Sequence, residues 1–335
     1  MRVLVIGGTL FIGRVLVHEL TRAGHEVTIL HRRPGHDLGK RVHEIIGDRN
    51  EPESLRAALA DREFEVVFDN VYDWQRGTTA AQVEATATLC AERNKLHRYL
   101  YMSSVAAYGD GLNHHEGDAL APDNHPDAYV RNKAMSERAL FRLHHRHQLP
   151  VVTLRPPFVY GPGNPYYREA FFWDRIRDNR PVILPGDGRR LMQFAYVKDL
   201  VHACLQAMQE HGAVGHAFNI GNPRPVSQAE LVELLGDVAG RRAMAVRIPR
   251  ERILRAGGHP MGPKLYFGFY FDLPAITMMV TRAQRVLHFQ PTDFAEGLRE
   301  SYRWYLRHHE KDSSNYLFED SLLALAASGA PPSAF

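Results

Sequence analysis

Tyr129 and Lys133, four residues apart, with Ser104 upstream of them, are the residues in this sequence best suited to chemistry. On a helix this spacing puts the Tyr and Lys side chains on the same face, one turn apart. The lysine ammonium can then lower the pKa of the phenol, so that the tyrosine exchanges a proton near neutral pH, while a nearby serine hydroxyl holds a substrate oxygen. The alternative is an exposed pair without function, since a chain of this composition contains roughly 0.25 such pairs by chance. The interpretation therefore depends on the elements that surround the pair.

A glycine-rich turn opens the chain between a predicted strand and a predicted helix. The apolar run 2–6 leads into Gly7-Gly8-Thr9-Leu10-Phe11-Ile12-Gly13, which is followed by an amphipathic segment to about Ala23 and a second strand at 26–30. In such a βαβ unit, backbone N–H groups and the dipole at the start of the helix receive a pyrophosphate. The pattern predicts dinucleotide binding.

Strands and helices then continue to alternate. Further strands are predicted at 42–46, 65–68, 98–102 and 150–154, and helices around 53–60, 78–93 and 129–147. This alternation predicts an α/β fold, a doubly wound parallel sheet of Rossmann type, with Ser104 at the carboxyl end of the fifth strand, where ligands of such sheets bind. We expect a dinucleotide-binding domain at 1–155 and a smaller, mixed C-terminal substrate-binding region at 156–312, intertwined with it. Helices are expected there near 166–178, 199–210, 227–239 and 294–307, and the tail 313–335 is expected to be partly disordered.

Composition excludes several classes of protein. The net charge of +3 indicates no extended basic surface, so nucleic acid is not an expected partner. The two cysteines form no CxxC motif and the nineteen histidines have no metal-ligand spacing, so no metal site is expected. No signal peptide or 18-residue apolar run is present, so no membrane partner is expected and cytoplasmic localisation is the default.

The ordered set of motifs resembles the extended short-chain dehydrogenase/reductase family, which includes nucleotide-sugar epimerases, dehydratases and reductases. The motifs are the glycine turn, Ser104-Val105-Ala106-Ala107-Tyr108-Gly109, the Tyr129–Lys133 pair, and the runs 154–162 and 186–199. The Gly-Gly-Thr-x-Phe-Ile-Gly turn is similar to that of the branch containing the chloroplast stem-loop-binding proteins. The resemblance implies that Tyr129 is the general acid/base, that Lys133 lowers its pKa and holds the nicotinamide ribose, and that Ser104 fixes the substrate oxygen.

The resemblance also implies the cofactor site, with two departures. Leu10 stands where the family's pattern has its middle glycine, and a Cβ there crowds the pyrophosphate path. His31, Arg32 and Arg33 stand where NAD-preferring members end the second strand with an acidic residue, and because Arg binds a 2′-phosphate, NADP is favoured over NAD. The full set of predicted cofactor-binding residues is Gly7, Thr9, Leu10, Phe11, Ile12, Gly13, His31, Arg32, Arg33, Asp48, Arg49, Asn70, Ser103, Tyr129, Lys133 and Pro156.

The predicted substrate contacts depart from those of nucleotide-sugar epimerases. Phe158 and Met192 stand where such enzymes place an Asn and an Arg on the substrate diphosphate, and neither binds a diphosphate. Arg190 could substitute from a shifted loop, and Ser104 completes the predicted set. The helices at 78–93 and 129–147 match those that pair family members into homodimers through a four-helix bundle.

Three functions remain open. The first is an NAD(P)-dependent epimerase acting at a secondary alcohol or ketone carbon of a small-molecule substrate, a sugar or nucleotide sugar. The second is an NADPH-dependent reductase or dehydrogenase of a non-nucleotide carbonyl compound, which Phe158, Met192 and the His31-Arg32-Arg33 run favour. The third is a non-catalytic, RNA-associated protein like the stem-loop-binding relatives; the retained Ser104, Tyr129 and Lys133 argue against it.

Overall fold

A computed structural model describes residues 1–92, 95–310 and 316–327. Its strands in chain order are β1 (Arg2–Ile6), β2 (Glu26–His31), β3 (Val42–Ile46), β4 (Val66–Asp69), β5 (Arg98–Met102), β6 (Gly111–His114), β7 (Val151–Arg155), β8 (Phe158–Tyr160), β9 (Val182–Pro185), β10 (Leu191–Met192), β11 (Phe194–Tyr196), β12 (His216–Asn219), β13 (Val226–Ser227), β14 (Ala245–Ile248) and β15 (Ile276–Met278). Its α-helices are α1 (Phe11–Arg22), α2 (Pro52–Leu59), α3 (Ala80–Ala91), α4 (Ala128–His147), α5 (Glu169–Arg177), α6 (Val197–Gln209), α7 (Gln228–Val238), α8 (Arg250–Arg255), α9 (Thr281–Val286), α10 (Phe294–His308) and α11 (Leu317–Ala327).

The chain divides into two compact units. Unit 1 comprises Met1–Val159, Phe194–Pro223 and Ile276–Pro291, and unit 2 comprises Tyr160–Gln193, Arg224–Ala275 and Thr292–Phe335. The region predicted at 156–312 therefore contributes segments to both units, because the chain returns to unit 1 twice.

Unit 1 is built on a seven-stranded parallel sheet with the order β12-β7-β5-β4-β1-β2-β3. Its central strands are buried on both faces, as parallel strands covered by helices must be, and this is why 3–6 and 66–68 read as continuous apolar runs. The predicted doubly wound parallel sheet is confirmed. The order reverses at β1 and β4, so the carboxyl ends of these two strands flank the crevice in which such sheets bind ligands.

Unit 2 is smaller and mixed. A parallel pair, β9 with β14, and an antiparallel pair, β10 with β13, are accompanied by α5, α7, α8, α10 and α11. An aromatic core fills it, including Phe171, Phe172, Phe267 and Phe271, all at most 1% exposed.

Most predicted elements lie within a few residues of the observed ones. The strand β12 at the edge of the main sheet was not predicted. Of the tail expected to be partly disordered, 316–327 are described and contain α11; the remainder, like residue 93 of the predicted third helix, lies outside the described residues. None of the helices in the described part of the chain combines the length and the apolar composition that a membrane-spanning helix requires.

Candidate active site

The glycine turn between β1 and α1 is tightly built. Gly7 has a φ of +83°, and a Cβ on Gly13 would lie 1.9 Å from the Gly7 carbonyl oxygen, so helix α1 begins in direct contact with the turn. Leu10 is the N-cap of α1 and its side chain is 63% exposed, whereas Phe11 is buried at a φ of +41°. Thr9 and Ile12 are half-buried beside them.

The residues present fit a dinucleotide. The start of α1 leaves its first backbone N–H groups without intrahelical acceptors, and the Leu10 N-cap supplies no side-chain acceptor. Asn70, directly after β4, has a buried Nδ2 without a hydrogen-bond partner. A buried amide donor without an acceptor costs free energy, which a bound polar group at the strand ends would relieve.

Charged residues surround the ends of β2 and β3. The His31 ring contacts Glu44 at 2.7 Å, and Arg32 donates to Asp73 at 3.1 Å while its side chain stays 58% exposed. Arg33 is also exposed. Asp48 accepts from the guanidinium of Arg76 at 2.6 Å.

Arg49, one of the predicted cofactor-binding residues, has a buried side chain. Its guanidinium is buried and donates to the buried carboxylate of Asp69, which also accepts from the Tyr99 hydroxyl at 2.8 Å. The side chain therefore packs inside unit 1 against the carboxylate of Asp69, and its contact with a cofactor stays a prediction.

Tyr129 and Lys133 lie in the first two turns of α4, as predicted. Asp127 caps the helix by accepting from the Tyr129 and Val130 amides at 2.8 and 3.2 Å. The Lys133 Nζ lies 5.9 Å from the Tyr129 ring centroid and donates to the Met102 carbonyl at 2.6 Å. Lys133 is 3% exposed, and burial lowers its pKa to about 8.

Ser103 and Ser104 follow the last residue of β5. Ser104 is half-buried and caps a short 3-10 turn, Val105–Tyr108, by accepting from the Ala106 amide at 3.1 Å. The Val105 amide donates to the carbonyl of Pro156 at 3.0 Å, which ties this turn to the segment after β7. Ser103 is buried and donates to Glu137.

Glu137 and Arg155 form a buried ion pair that the sequence interpretation missed. Arg155 donates to both Glu137 carboxylate oxygens at distances from 2.7 to 3.1 Å, and Thr153 donates to the same carboxylate at 2.9 Å. Burial alone would raise the pKa of Glu137, but Arg155 and these hydrogen bonds hold it below its usual value. Arg155 also donates to the hydroxyl of Tyr108 at 2.7 Å. The pair thus connects α4, one turn beyond Lys133, to the turn that carries Ser104.

Comparison with known proteins agrees with this arrangement. Residues 3–221 match the NAD dependent epimerase/dehydratase family. The chain belongs to this family. The predictions of an extended short-chain dehydrogenase/reductase and of an NAD(P)-dependent enzyme are therefore confirmed.

The proteins that are similar to this chain are named for different functions. A chloroplast stem-loop binding protein of 41 kDa from Arabidopsis thaliana is 28% identical over 90% of this chain and 78% of its own length. A 3 beta-hydroxysteroid dehydrogenase/Delta 5-->4-isomerase from Mycobacterium tuberculosis is 24% identical over 87% of this chain and 86% of its own length. The crystal structure of a UDP-glucuronic acid 4-epimerase from Bacillus cereus in complex with NAD shares the fold with a TM-score of 0.71, at 20% identity over 92% of this chain and 100% of that chain.

The predicted substrate residues lie in different environments. Phe158 is half-buried in unit 1, with its ring centroid 5.9 Å from that of Phe194. In unit 2, Arg190 donates to the Asp272 carboxylate at 2.9 Å, and Met192 is only 2% exposed. The Arg190 side chain is thus tied to a buried carboxylate and the Met192 side chain is packed in the core, and their roles in substrate binding stay predictions.

Histidine clusters have local partners instead of a shared ligand. His114, for example, contacts Asp118 at 2.9 Å and stacks on Tyr108. Within the ranges that the structure describes, no group of three or more His, Cys, Asp or Glu side chains is arranged to hold a metal ion.

Proposed function

We propose that this protein transfers hydride at a secondary alcohol or ketone carbon of a sugar or nucleotide sugar, with Tyr129 as general acid/base and NAD(P) as cofactor. The observation that carries the proposal is the buried Lys133 ammonium, held beside the Tyr129 ring at the carboxyl ends of β4 and β5. With a pKa of about 8, Lys133 is charged at neutral pH and favours the phenolate form of Tyr129.

The proton and hydride follow separate routes. The glycine turn and Asn70 would hold NAD(P), and the bound cofactor would supply hydride transfer to or from the substrate carbon. In oxidation, Tyr129 phenolate removes the proton of the substrate hydroxyl and Ser104 holds its oxygen; in reduction, Tyr129 returns a proton to that oxygen. Lys133 stabilises the charge on Tyr129 in both directions.

An epimerase and a reductase would use these residues in the same way. In an epimerase, the substrate's keto form turns and is reduced on its other face, so the cofactor is regenerated within one turnover. A reductase releases oxidised cofactor each time. Sugar specificity is supported by the family and by the Bacillus cereus epimerase of the same fold, whereas Phe158 and Met192 offer no hydrogen bonds to a diphosphate. Because Phe158 and Met192 cannot bind a diphosphate, a non-nucleotide carbonyl compound is kept as the alternative substrate.

The cofactor preference is part of the proposal. Arg32 is more than half exposed, so its free N–H groups can reach a 2′-phosphate, and we favour NADP over NAD for that reason. Because the Asp73 carboxylate already neutralises part of the positive charge of Arg32, Arg32 can supply only a limited preference for NADP.

A homodimer is the expected assembly. Helices α3 and α4 pack against each other in unit 1, and Arg142 of α4 lies 3.9 Å from Glu84 of α3. A second copy of this helix pair would complete a four-helix bundle. Light scattering coupled to size-exclusion chromatography, giving twice the 38.1 kDa chain mass, tests this expectation.

The variant Tyr129→Phe tests the mechanism. It keeps the ring and its contacts, so fold and cofactor affinity should stay near wild type, while turnover of any accepted sugar or carbonyl substrate should fall by about 100-fold or more. Wild-type-like turnover by a correctly folded Tyr129→Phe protein contradicts Tyr129 as the general acid/base. Product analysis by chromatography and nicotinamide absorbance distinguish epimerisation from net reduction.

A further inference from the structure

Three tyrosine rings surround the ammonium of Lys133. Its Nζ lies 4.7 Å from the ring centroid of Tyr101, 5.6 Å from that of Tyr72 and 5.9 Å from that of Tyr129. A cation this close to an aromatic face is attracted by the electrons of the ring. The three rings come from β5, from the loop after β4 and from α4, and we call them the tyrosine cage.

Few other groups compensate the buried charge of Lys133. Burial lowers its pKa to about 8, and in the described part of the chain the ammonium donates one hydrogen bond, to a backbone carbonyl at 2.6 Å, and forms no ion pair. The carboxylates of Asp69 and Glu137 are near enough to favour the charged form, but each is already paired with an arginine, Arg49 and Arg155 respectively. The rings are therefore the groups that contact the ammonium without a cation of their own.

Tyr72 is fixed in the cage by two further contacts with α4. Its ring meets that of Tyr129 edge-on, with the centroids 4.8 Å apart and 89° between the ring planes. Its hydroxyl accepts a hydrogen bond from the Asn132 side chain at 3.1 Å. A single side chain thus contacts three residues within five positions of this helix, namely Tyr129, Asn132 and Lys133.

Tyr101 forms the buried side of the cage. It is 1% exposed, and burial holds the pKa of its phenol above the usual value. The ring therefore stays neutral at any pH at which Lys133 is charged, as attraction through the ring face requires. Tyr72 is half-buried, so its replacement disturbs the core less than replacement of Tyr101 would.

We propose that Tyr72 and Tyr101 are positioning residues that hold the Lys133 ammonium charged and in place beside Tyr129. A carboxylate bound directly to Lys133 would cancel the charge that favours the phenolate form of Tyr129, whereas neutral rings stabilise the ammonium and leave its charge in effect. This inference rests on the proposed function, in which Tyr129 exchanges the proton.

Titration of Lys133 by NMR tests the cage without any substrate. The chain has six lysines, so labelling of their ε-carbons with carbon-13 gives few signals, and the Lys133 signal is the one missing from Lys133→Met. We expect Tyr72→Leu to lower the midpoint of the Lys133 titration by about one pH unit. Tyr72→Phe should keep the wild-type midpoint, since it keeps the ring. Asp69, Glu137 and Arg49 are retained in both variants.

Phe318→Leu is the matched control, because the Phe318 ring lies 5.5 Å from the Nζ of Lys264, an exposed lysine. Cation–π attraction is weaker at an exposed site, so the midpoint of Lys264 should fall by about half a pH unit at most. Circular dichroism checks that each variant is folded. In the wild-type protein, ring currents should also move the ε-proton signals of Lys133 upfield of those of the other lysines.

An unchanged or raised Lys133 midpoint in folded Tyr72→Leu overturns the inference, as does a fall no larger than that of the control. An equal fall in Tyr72→Phe assigns the effect to the hydroxyl bound by Asn132 and overturns the role of the ring. Wild-type ε-proton signals without an upfield shift overturn the cage whether or not Tyr72→Leu folds. The proposed hydride transfer fails separately, through wild-type turnover by Tyr129→Phe, which leaves the titration of Lys133 as evidence for or against the cage.

Discussion

Replacement of Glu137 by alanine tests how the catalytic helix is held to the sheet. The variant removes the carboxylate that Arg155, Ser103 and Thr153 share, and leaves the Arg155 guanidinium buried without its counter-charge. Breaking a buried ion pair from one side costs about 3–5 kcal/mol, most of it the penalty of the unpaired charge. We therefore expect the free energy of unfolding of Glu137→Ala to fall by about 4 kcal/mol.

Urea unfolding followed by circular dichroism measures this loss. The matched control is Glu84→Ala on α3, whose partner Arg142 lies 3.9 Å away and is half exposed; a surface pair of this kind is worth about 0–1 kcal/mol. The double variant Glu137→Ala/Arg155→Met removes both charges and should recover a large part of the loss. A loss below about 1 kcal/mol in Glu137→Ala, equal to that of the control, refutes the reasoning.

Three further perturbations have defined outcomes. Lys133→Met should abolish a rise in the free energy of unfolding with pH. Burial lowers the pKa of Lys133 from its ordinary 10.5 to about 8 in the folded state, so the wild-type protein gains up to about 3 kcal/mol of stability as pH rises from 8 to 10.5. A parallel dependence of stability on pH in the variant and the wild type contradicts this. Arg32→Ala should weaken NADP binding by about tenfold with little effect on NAD, as measured by calorimetry; equal effects on both remove the case for 2′-phosphate recognition. Gly13→Ala should reduce cofactor affinity by more than about tenfold, because the added Cβ meets the Gly7 carbonyl. Gly212→Ala is the control and should leave cofactor affinity unchanged, since the nearest atom to its added Cβ is 3.8 Å away. Wild-type cofactor binding by Gly13→Ala contradicts the role of the glycine turn.

The sheet and the main candidate residues were predictable because short-range patterns encode them. Continuous apolar runs identify buried parallel strands, and a glycine turn between a strand and a helix identifies the start of α1. The i, i+4 spacing is sufficient to put Tyr129 and Lys133 on one face of α4. The helices predicted around 53–60 and 294–307 are observed at Pro52–Leu59 and Phe294–His308 for the same reason: their apolar periodicity is local.

What was missed depends on long-range contacts. Glu137 follows Lys133 by four residues, as Lys133 follows Tyr129, and this spacing could have placed Glu137 on the same face of α4. Its partner Arg155 lies on another element and is identified only by the fold. Trp74 lies in a loop without periodicity, and its stacking on Tyr129, with the ring centroids 4.8 Å apart, joins residues more than fifty positions apart in the chain. Arg49 and Met192 were predicted to face ligands from their positions in the family pattern, whereas the local packing of each unit buries both side chains.

The identity and affinity of the bound dinucleotide decide whether this protein is equipped for hydride transfer. Purified protein is denatured, any released dinucleotide is identified by mass spectrometry, and cofactor-free protein is titrated with NAD(H) and NADP(H). We expect saturable binding of a nicotinamide dinucleotide, tighter for NADP(H) than for NAD(H), and weaker binding by Lys133→Met. Release of firmly retained NAD would favour the epimerase over the reductase and contradict the NADP preference. Absence of binding by all four dinucleotides would contradict hydride transfer itself and favour the alternative of a non-catalytic, RNA-associated protein.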